Sequence, residues 1–251
     1  MKKFIAYFDY LGFRKFIENN ELYEQKRGME HRWRDIEQAL TNDEIVIAKS
    51  GAAIADLNKA KINCINFSDT IVYWTNDDSL ESLIEILKVG HLFNWKTNIF
   101  FFPVRGSIVW GEIESPNFSH KNEKNFIYNI NSIYGKGLIN AYEKAESQDW
   151  AGTVIDQSIL DQIVNLGENP DIFLDSYAIK YNIPYKRGIF FENEFALRLV
   201  DGTLNMESFK NKKESIFENF NNYKKGPLDP FTQIKFENTI KFLEKALDPT
   251  L

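Results

Sequence analysis

Two aspartates stand where runs of β-forming apolar residues stop. Asp9 follows the run Lys3–Phe8, and Asp69 lies in a two-residue link between Ile62–Phe67 and Thr70–Trp74, a spacing that predicts a tight hairpin. If these strands are neighbours in one sheet, both carboxylates meet at one edge. Converging carboxylates are typical ligands of Mg²⁺, and paired cations about 3.5–4 Å apart can act on both oxygens of a phosphoryl transfer. A single aspartate at a strand end is more typical of a turn, but the two together favour a metal site.

A glycine next to the first aspartate suggests how phosphate could bind nearby. In the segment Asp9-Tyr-Leu-Gly-Phe13, Gly12 stands directly before a helix predicted to begin near Arg14. Backbone N–H groups at such a start can bind phosphate oxygens, and the helix dipole favours their negative charge. Gly12 and Phe13 are therefore candidate substrate-binding residues, with an ordinary turn as the alternative.

The composition argues against several other kinds of protein. The 251 residues include 36 acidic and 30 basic side chains, a net charge of −6, whereas nucleic-acid-binding proteins usually show a basic excess. The single Cys64 and three scattered histidines exclude a disulfide framework and argue against a cysteine- or histidine-rich zinc site. The apolar runs fall far short of the roughly 20 residues of a membrane span. We therefore predict a cytoplasmic protein that binds neither nucleic acid nor membrane.

The pattern of elements predicts an α+β fold. Hairpins alternate with helices, which favours an antiparallel sheet with helices packed on it over a doubly wound parallel sheet. We predict helices over residues 21–40 (continuing weakly to 57), 79–93, 135–147, 158–166 and 231–247, strands over 104–112, 152–156, 177–185 and 194–200, and a loop over 115–125.

Four segments, in order, resemble the motifs of class III nucleotidyl cyclases. Phe8–Phe13 and Phe67–Val72 resemble the two metal motifs, Arg105–Ile108 resembles the strand motif that follows, and Tyr134–Ser147 looks like the helix that carries transition-state groups. The resemblance covers about residues 2–200. The short forms Phe-Ser-Asp, Arg-Gly-Ser-Ile and Gly-Lys-Gly-Leu-Ile-Asn-Ala-Tyr are most similar to the pyrimidine cyclases of bacterial Pycsar anti-phage systems.

The resemblance implies a fold, a reaction and an assembly. Its fold is a ferredoxin-like βαββαβ core, expected here in a catalytic domain over residues 1–204 with a helical insert at about 21–57, followed by a helical extension over 205–251. Asp9 and Asp69 would hold two Mg²⁺ or Mn²⁺ ions. The ribose 3′-oxygen of a nucleoside triphosphate would attack the α-phosphate and release pyrophosphate. The family works as a head-to-tail homodimer with active sites between subunits.

Further roles are implied position by position. Asn140 matches the ribose-orienting asparagine of the family if one extra residue is allowed after Gly135, and Lys144 then stands where the family usually has a transition-state arginine. A lysine is a point charge and lacks the bidentate fork of arginine. Two further basic sites are candidate substrate contacts: Arg105 for the base or a phosphate, and Lys186-Arg187 for the terminal phosphates.

The expected base specificity follows from two positions. Purine-specific members recognise the base with a lysine and an aspartate, where this chain has Ile65 and Ser132. A site built to bond a base edge discriminates strongly, because a missing partner leaves polar groups unpaired. Loss of both groups favours a pyrimidine substrate and does not separate UTP from CTP.

Two alternatives to a pyrimidine cyclase remain open. One is an adenylate or guanylate cyclase with an unusual pocket. The other is a catalytically silent cyclase-like protein that binds nucleotide or a partner, which the lysine at position 144 keeps open. A role in phage defence, and a separate effector that binds the cyclic nucleotide, are implied by the resemblance alone.

Overall fold

A computed structural model describes residues 1–186 and 193–247. The strands are β1 Lys2–Tyr10, β2 Ile45–Ile47, β3 Ala53–Ala55, β4 Asn63–Phe67, β5 Thr70–Trp74, β6 Val104–Glu112, β7 Asn117–Lys121, β8 Ile127–Asn131, β9 Thr153–Ile155, β10 Ala178–Tyr181 and β11 Glu194–Leu197. The α-helices are α1 Phe13–Asn19, α2 Leu22–Leu40, α3 Leu80–Phe100, α4 Lys136–Glu146, α5 Gln157–Asn165, α6 Pro170–Phe173, α7 Met206–Asn221 and α8 Pro230–Leu247.

The fold is α+β, as the sequence predicts. Seven strands form one sheet in the order β10-β11-β9-β6-β1-β5-β4. The four strands β6-β1-β5-β4 pair antiparallel, which is the strand order of a ferredoxin-like βαββαβ unit. Beyond this core β9 pairs parallel with β6, so the whole sheet is mixed. Among the described residues, no helix is long and apolar enough to cross a membrane.

Strand β1 lies inside the sheet between β6 and β5, and its alternating side chains face two different cores. Phe4, Phe8 and Tyr10 belong to the larger core, which also contains Ile86 and Phe93 of α3. The side chains between them, such as Ile5 and Tyr7, belong to a smaller core with Ala141 and Ala145 of α4. Because side chains alternate along a strand, Asp9 lies on the same face of the sheet as Tyr7 and α4.

Two segments differ from the secondary structure predicted for them. Helix α2 ends at Leu40, and the next stretch forms the hairpin β2–β3 and a short 3₁₀ turn in place of more helix. Residues 117–131 form the hairpin β7–β8 where a loop was predicted. Both hairpins project mostly exposed side chains, so they lack the apolar alternation by which a half-buried strand is recognised in a sequence.

The C-terminal helices α7 and α8 pack against the rest of the fold through an apolar core. Their residues Ile216, Phe220 and Phe242 share a core with Trp150, whose ring centroid lies 4.7 Å from that of Phe242. The structure therefore joins this extension to the sheet through an apolar core.

Helix α4 lies directly against β6, and two glycines permit the contact. A Cβ atom added at Gly137 would lie 2.7 Å from the carbonyl carbon of Gly111 and 2.8 Å from Cδ1 of Ile5. Distances this short do not occur between real Cβ atoms and their neighbours, so a side chain at Gly137 would push α4 away from the sheet.

We predict that Gly137→Ala lowers the free energy of unfolding by about 1–3 kcal/mol, the usual cost of overpacking. Glu143→Ala is the control, because Glu143 is exposed on the same helix and its loss should change stability by less than about 0.5 kcal/mol. Urea unfolding followed by circular dichroism measures both. Equal stabilities of the two variants would show that α4 is not in tight contact with β6.

Candidate active site

Asp9 and Asp69 lie at the same edge of the sheet. Asp9 is the penultimate residue of β1 and is the register partner of Thr70, the first residue of β5. Asp69 precedes Thr70 in the two-residue turn, and its carbonyl accepts a hydrogen bond of 3.0 Å from the backbone N–H of Tyr10. The turn is tight enough that Ser68 adopts a left-handed conformation with φ of 58°. The expectation that β1 and β5 are neighbours in one sheet is therefore confirmed.

The side chain of Asp9 is largely buried and lies close to other charged side chains. Its side chain is only 13 % exposed. Burial raises the pKa of the Asp9 carboxyl to about 6, against the opposing effect of Arg105 and with a further rise from the negative charge of Asp69. The charge of Asp69 also contributes to the raised pKa of Tyr7, so the two carboxylates share one electrostatic environment.

Four charged side chains form what we call the Arg105 cluster: Asp9, Arg105, Glu146 and Lys186. Arg105 on β6 is the register partner of Asp9, and its Nη2 and Nε donate to Oδ2 of Asp9 at 2.8 and 3.1 Å. The same Nη2 contacts Oε1 of Glu146, the last residue of α4. Nζ of Lys186 lies 3.2 Å from Oε2 of Glu146. Two cations and two anions thus balance inside a partly buried cluster.

The donor set fits a hard divalent cation. In the part of the chain that the structure describes, no group of three or more His, Cys, Asp or Glu side chains is arranged to hold a metal ion. Asp9 and Asp69 would supply two carboxylate ligands, and water and phosphate oxygens would supply the rest, as is usual for Mg²⁺. Two neighbouring carboxylates repel each other, and a cation between them relieves that repulsion.

Gly12 and Phe13 follow the end of β1, and α1 begins at Phe13 as the sequence suggests. Gly12 has a left-handed φ of 80° and directly precedes α1, so a residue with a side chain would be strained there. The Phe13 ring is turned inward, with its centroid 5.8 Å from that of Phe16 and 5.0 Å from the guanidinium carbon of Arg32. Phe13 can therefore offer a ligand its backbone and not its ring.

Helix α4 carries both residues predicted to act on the substrate of a neighbouring subunit, and the surroundings of the two differ. Asn140 is exposed. Lys144 is only 18 % exposed and pairs with Glu194 of β11, with Asp156 further away at 3.9 Å. The hydroxyl of Tyr185 donates to the other oxygen of Glu194 at 2.5 Å. Lys144 thus forms an ion pair within its own chain, whereas Asn140, four residues earlier on α4, is exposed.

Ile65 and Ser132, the two positions expected to contact the base, line the same cavity. Its volume is about 580 Å³, and its other walls come from β4, β5 and the two ends of the β7–β8 hairpin: Asn63, Cys64, Asn66, Trp74, Ser115, Pro116, Asn117, Asn131 and Ile133. A second, mainly apolar cavity of about 530 Å³ shares Ile65 and includes Tyr7 and Thr70. Thr70 is the register partner of Asp9, but neither Asp9 nor Asp69 lines either of these two cavities.

Several residues of this region were missed or lie elsewhere. Glu146 was given no role by the sequence, because a helix-terminal glutamate is common and its contact with Arg105 joins residues far apart in the chain. Asn117 was missed because residues 115–125 were predicted as a loop, and Asn131 lies in a stretch for which no element was predicted. Arg187, a predicted phosphate ligand, lies outside the described residues.

We predict that Lys144→Met lowers the free energy of unfolding by about 3 kcal/mol, because Glu194 would be left as a largely buried, unpaired charge. Lys136→Met, at an exposed position of the same helix, should change it by less than about 0.5 kcal/mol. Thermal and urea unfolding measure the difference. Unchanged stability of Lys144→Met would show that the ion pair with Glu194 contributes little to the stability of the fold.

The fold is similar to that of class III adenylyl and guanylyl cyclase domains. The catalytic core of a rhodopsin-guanylyl cyclase with converted specificity, in complex with ATPαS, aligns with a TM-score of 0.51 at 8 % identity over 78 % of this chain and 94 % of that chain. The guanylate cyclase domain of RhGC from Catenaria anguillulae, in complex with GTP, aligns with a TM-score of 0.50 at 8 % identity over 78 % and 96 %. No protein-family profile and no curated protein matches the sequence. The chain therefore has a class III nucleotidyl cyclase-like fold.

Proposed function

We propose that this protein is a nucleotidyl cyclase, which forms a bond between the ribose 3′-oxygen and the α-phosphorus of a nucleoside triphosphate and releases pyrophosphate. The hydroxyl proton passes to solvent. The observation that carries the proposal is the meeting of Asp9 and Asp69 at one edge of the sheet, where Thr70, the register partner of Asp9, lines a cavity together with Ile65. Mg²⁺ or Mn²⁺, two per site, would lower the pKa of the 3′-hydroxyl and withdraw charge from the phosphates.

The residues around the carboxylates suggest how the nucleotide lies. Asp9 and Asp69 would hold the metal–triphosphate at the sheet edge, with the backbone at Gly12 and the cations Arg105 and Lys186 close to the phosphates. From Thr70 the apolar cavity runs along the sheet face to Ile65, where the ribose and base would lie. Burial of the reacting groups strengthens each of these electrostatic contacts.

A homodimer would complete the site. Asn140 is exposed on α4, so it is available to orient the ribose bound at a partner subunit. Lys144 is engaged with Glu194 in its own chain, and we therefore assign Asn140 alone to this contact. The catalytic domain would span residues 1–204, with the extension 205–251 supporting it through the core around Trp150.

We propose a pyrimidine nucleotide as substrate, because Ile65 offers no hydrogen bond to a purine edge. Adenylate or guanylate cyclase activity is the second candidate, and it is supported by the similar structures that contain ATPαS or GTP. The third is a silent nucleotide-binding protein, which the contact of Arg105 with Asp9 favours. A role in phage defence, with a separate effector for the cyclic product, stays a prediction from sequence resemblance.

The carboxylates are tested by Asp9→Asn and Asp69→Asn. Each should lower kcat by about a thousandfold or more, since metal and phosphate stabilisation together are worth several kcal/mol. Asp161→Asn, at an exposed position of α5, should retain full activity. Cyclic product is measured by mass spectrometry in Mn²⁺ buffer, and circular dichroism checks folding. Activity that survives in either folded variant would identify that carboxylate as a turn residue.

The base is tested by offering UTP, CTP, ATP and GTP together at equal concentration. We expect cUMP or cCMP as the main product, with UTP ahead, because an unpaired buried group on a purine costs about 1–3 kcal/mol. The variant pair Ile65→Lys and Ser132→Asp should shift the product toward cAMP. Mainly cAMP or cGMP from the native protein would favour the purine candidate, and no product from any substrate would favour the silent one.

A further inference from the structure

Arg105 donates hydrogen bonds to Asp9, the carboxylate that would be a metal ligand in the proposed reaction. Two of its nitrogens donate to the same oxygen, Oδ2 of Asp9, and its side chain is only 10 % exposed. A buried carboxylate without a counter-ion is strongly unfavourable. Arg105 supplies that counter-ion in the structure described here.

A divalent cation at Asp9 changes this balance. The guanidinium and the cation would compete for one carboxylate and repel each other at close range. Arg105 has a second partner, however, because its Nη2 also contacts Glu146. A guanidinium that leaves Asp9 therefore keeps one carboxylate, and its planar fork suits two phosphate oxygens.

We propose that Arg105 is an exchangeable counter-ion of the site: it neutralises Asp9 before loading, and it moves to the triphosphate when the metal–nucleotide complex binds, with Glu146 as the positioning residue that holds it throughout. The inference rests on the proposed function, because it takes Asp9 as a metal ligand.

Lys186 provides a matched control for charge alone. It is a second cation of the Arg105 cluster, and its Nζ lies 3.2 Å from Oε2 of Glu146. Among the described residues it forms no ion pair with Asp9. Lys186→Gln removes the same charge as Arg105→Gln from nearly the same place and leaves the Asp9–Arg105 contact intact. A difference between the two variants therefore reports on the direct contact.

The first measurement is Mn²⁺ binding without nucleotide, followed by electron paramagnetic resonance of the free ion. Arg105→Gln should bind Mn²⁺ about tenfold more tightly than the native protein, because the competing guanidinium is gone, while Lys186→Gln should change affinity by about threefold or less. Asp9→Asn should bind Mn²⁺ more weakly. If Arg105→Gln does not fold, Arg105→Lys replaces it and should shift affinity in the same direction, because an ammonium cannot form both bonds to Oδ2.

The second measurement is the affinity for the α,β-methylene analogues of UTP and ATP, which cannot release pyrophosphate, by calorimetry in Mn²⁺ buffer. Arg105→Gln should bind the better of the two about tenfold more weakly, opposite in sign to its effect on the metal alone. Equal Mn²⁺ shifts in Arg105→Gln and Lys186→Gln, or unchanged analogue affinity, would overturn the inference.

The outcomes separate this inference from the proposed function. If the native protein makes cyclic nucleotide and Arg105→Gln shows neither shift, the exchange is wrong and the cyclase stands. If the native protein makes no cyclic nucleotide and Asp9→Asn leaves Mn²⁺ binding unchanged, Asp9 is not a metal ligand, and both proposals fail.

Discussion

The antiparallel pairing of β1 with β5 and β6 is the constraint on which the candidate site depends. At one position of this register Asp9 has Thr70 on one side and Arg105 on the other. A shift of one residue would turn Asp9 to the opposite face and its apolar neighbours toward the candidate site. The fully buried side chains of Phe4 and Phe8 oppose such a shift, so the apolar core fixes the position of the charged groups.

Charge balance is the second requirement of this region. Asp9 and Arg105 are both largely buried, and a buried ion is tolerated only with a partner. Lys144 of α4 and Glu194 of β11 form a second largely buried ion pair. The two pairs differ in what surrounds them: the negative charge of Asp69 acts on the first, whereas the hydroxyl of Tyr185 donates a hydrogen bond to the second.

Close packing of α4 connects the fold to the proposed assembly. Gly111 and Gly137 let the helix lie directly against β6, which brings Glu146 at its end to Arg105 and leaves Asn140 exposed. A helix held further from the sheet would lose the contact with Arg105. The same small residues thus support both the internal ion cluster and the exposed position of Asn140.

The sequence alone determined the α+β class, the order of the core elements and the edge where Asp9 and Asp69 meet, because strong apolar runs interrupted by single acids are local signals. It did not determine the partners of Lys144 or Arg105, which lie far along the chain and depend on side-chain direction. It also missed the β7–β8 hairpin, whose exposed strands carry no apolar alternation. Only the tertiary structure decided these points, since ion pairs form between residues that folding, and not sequence distance, brings together.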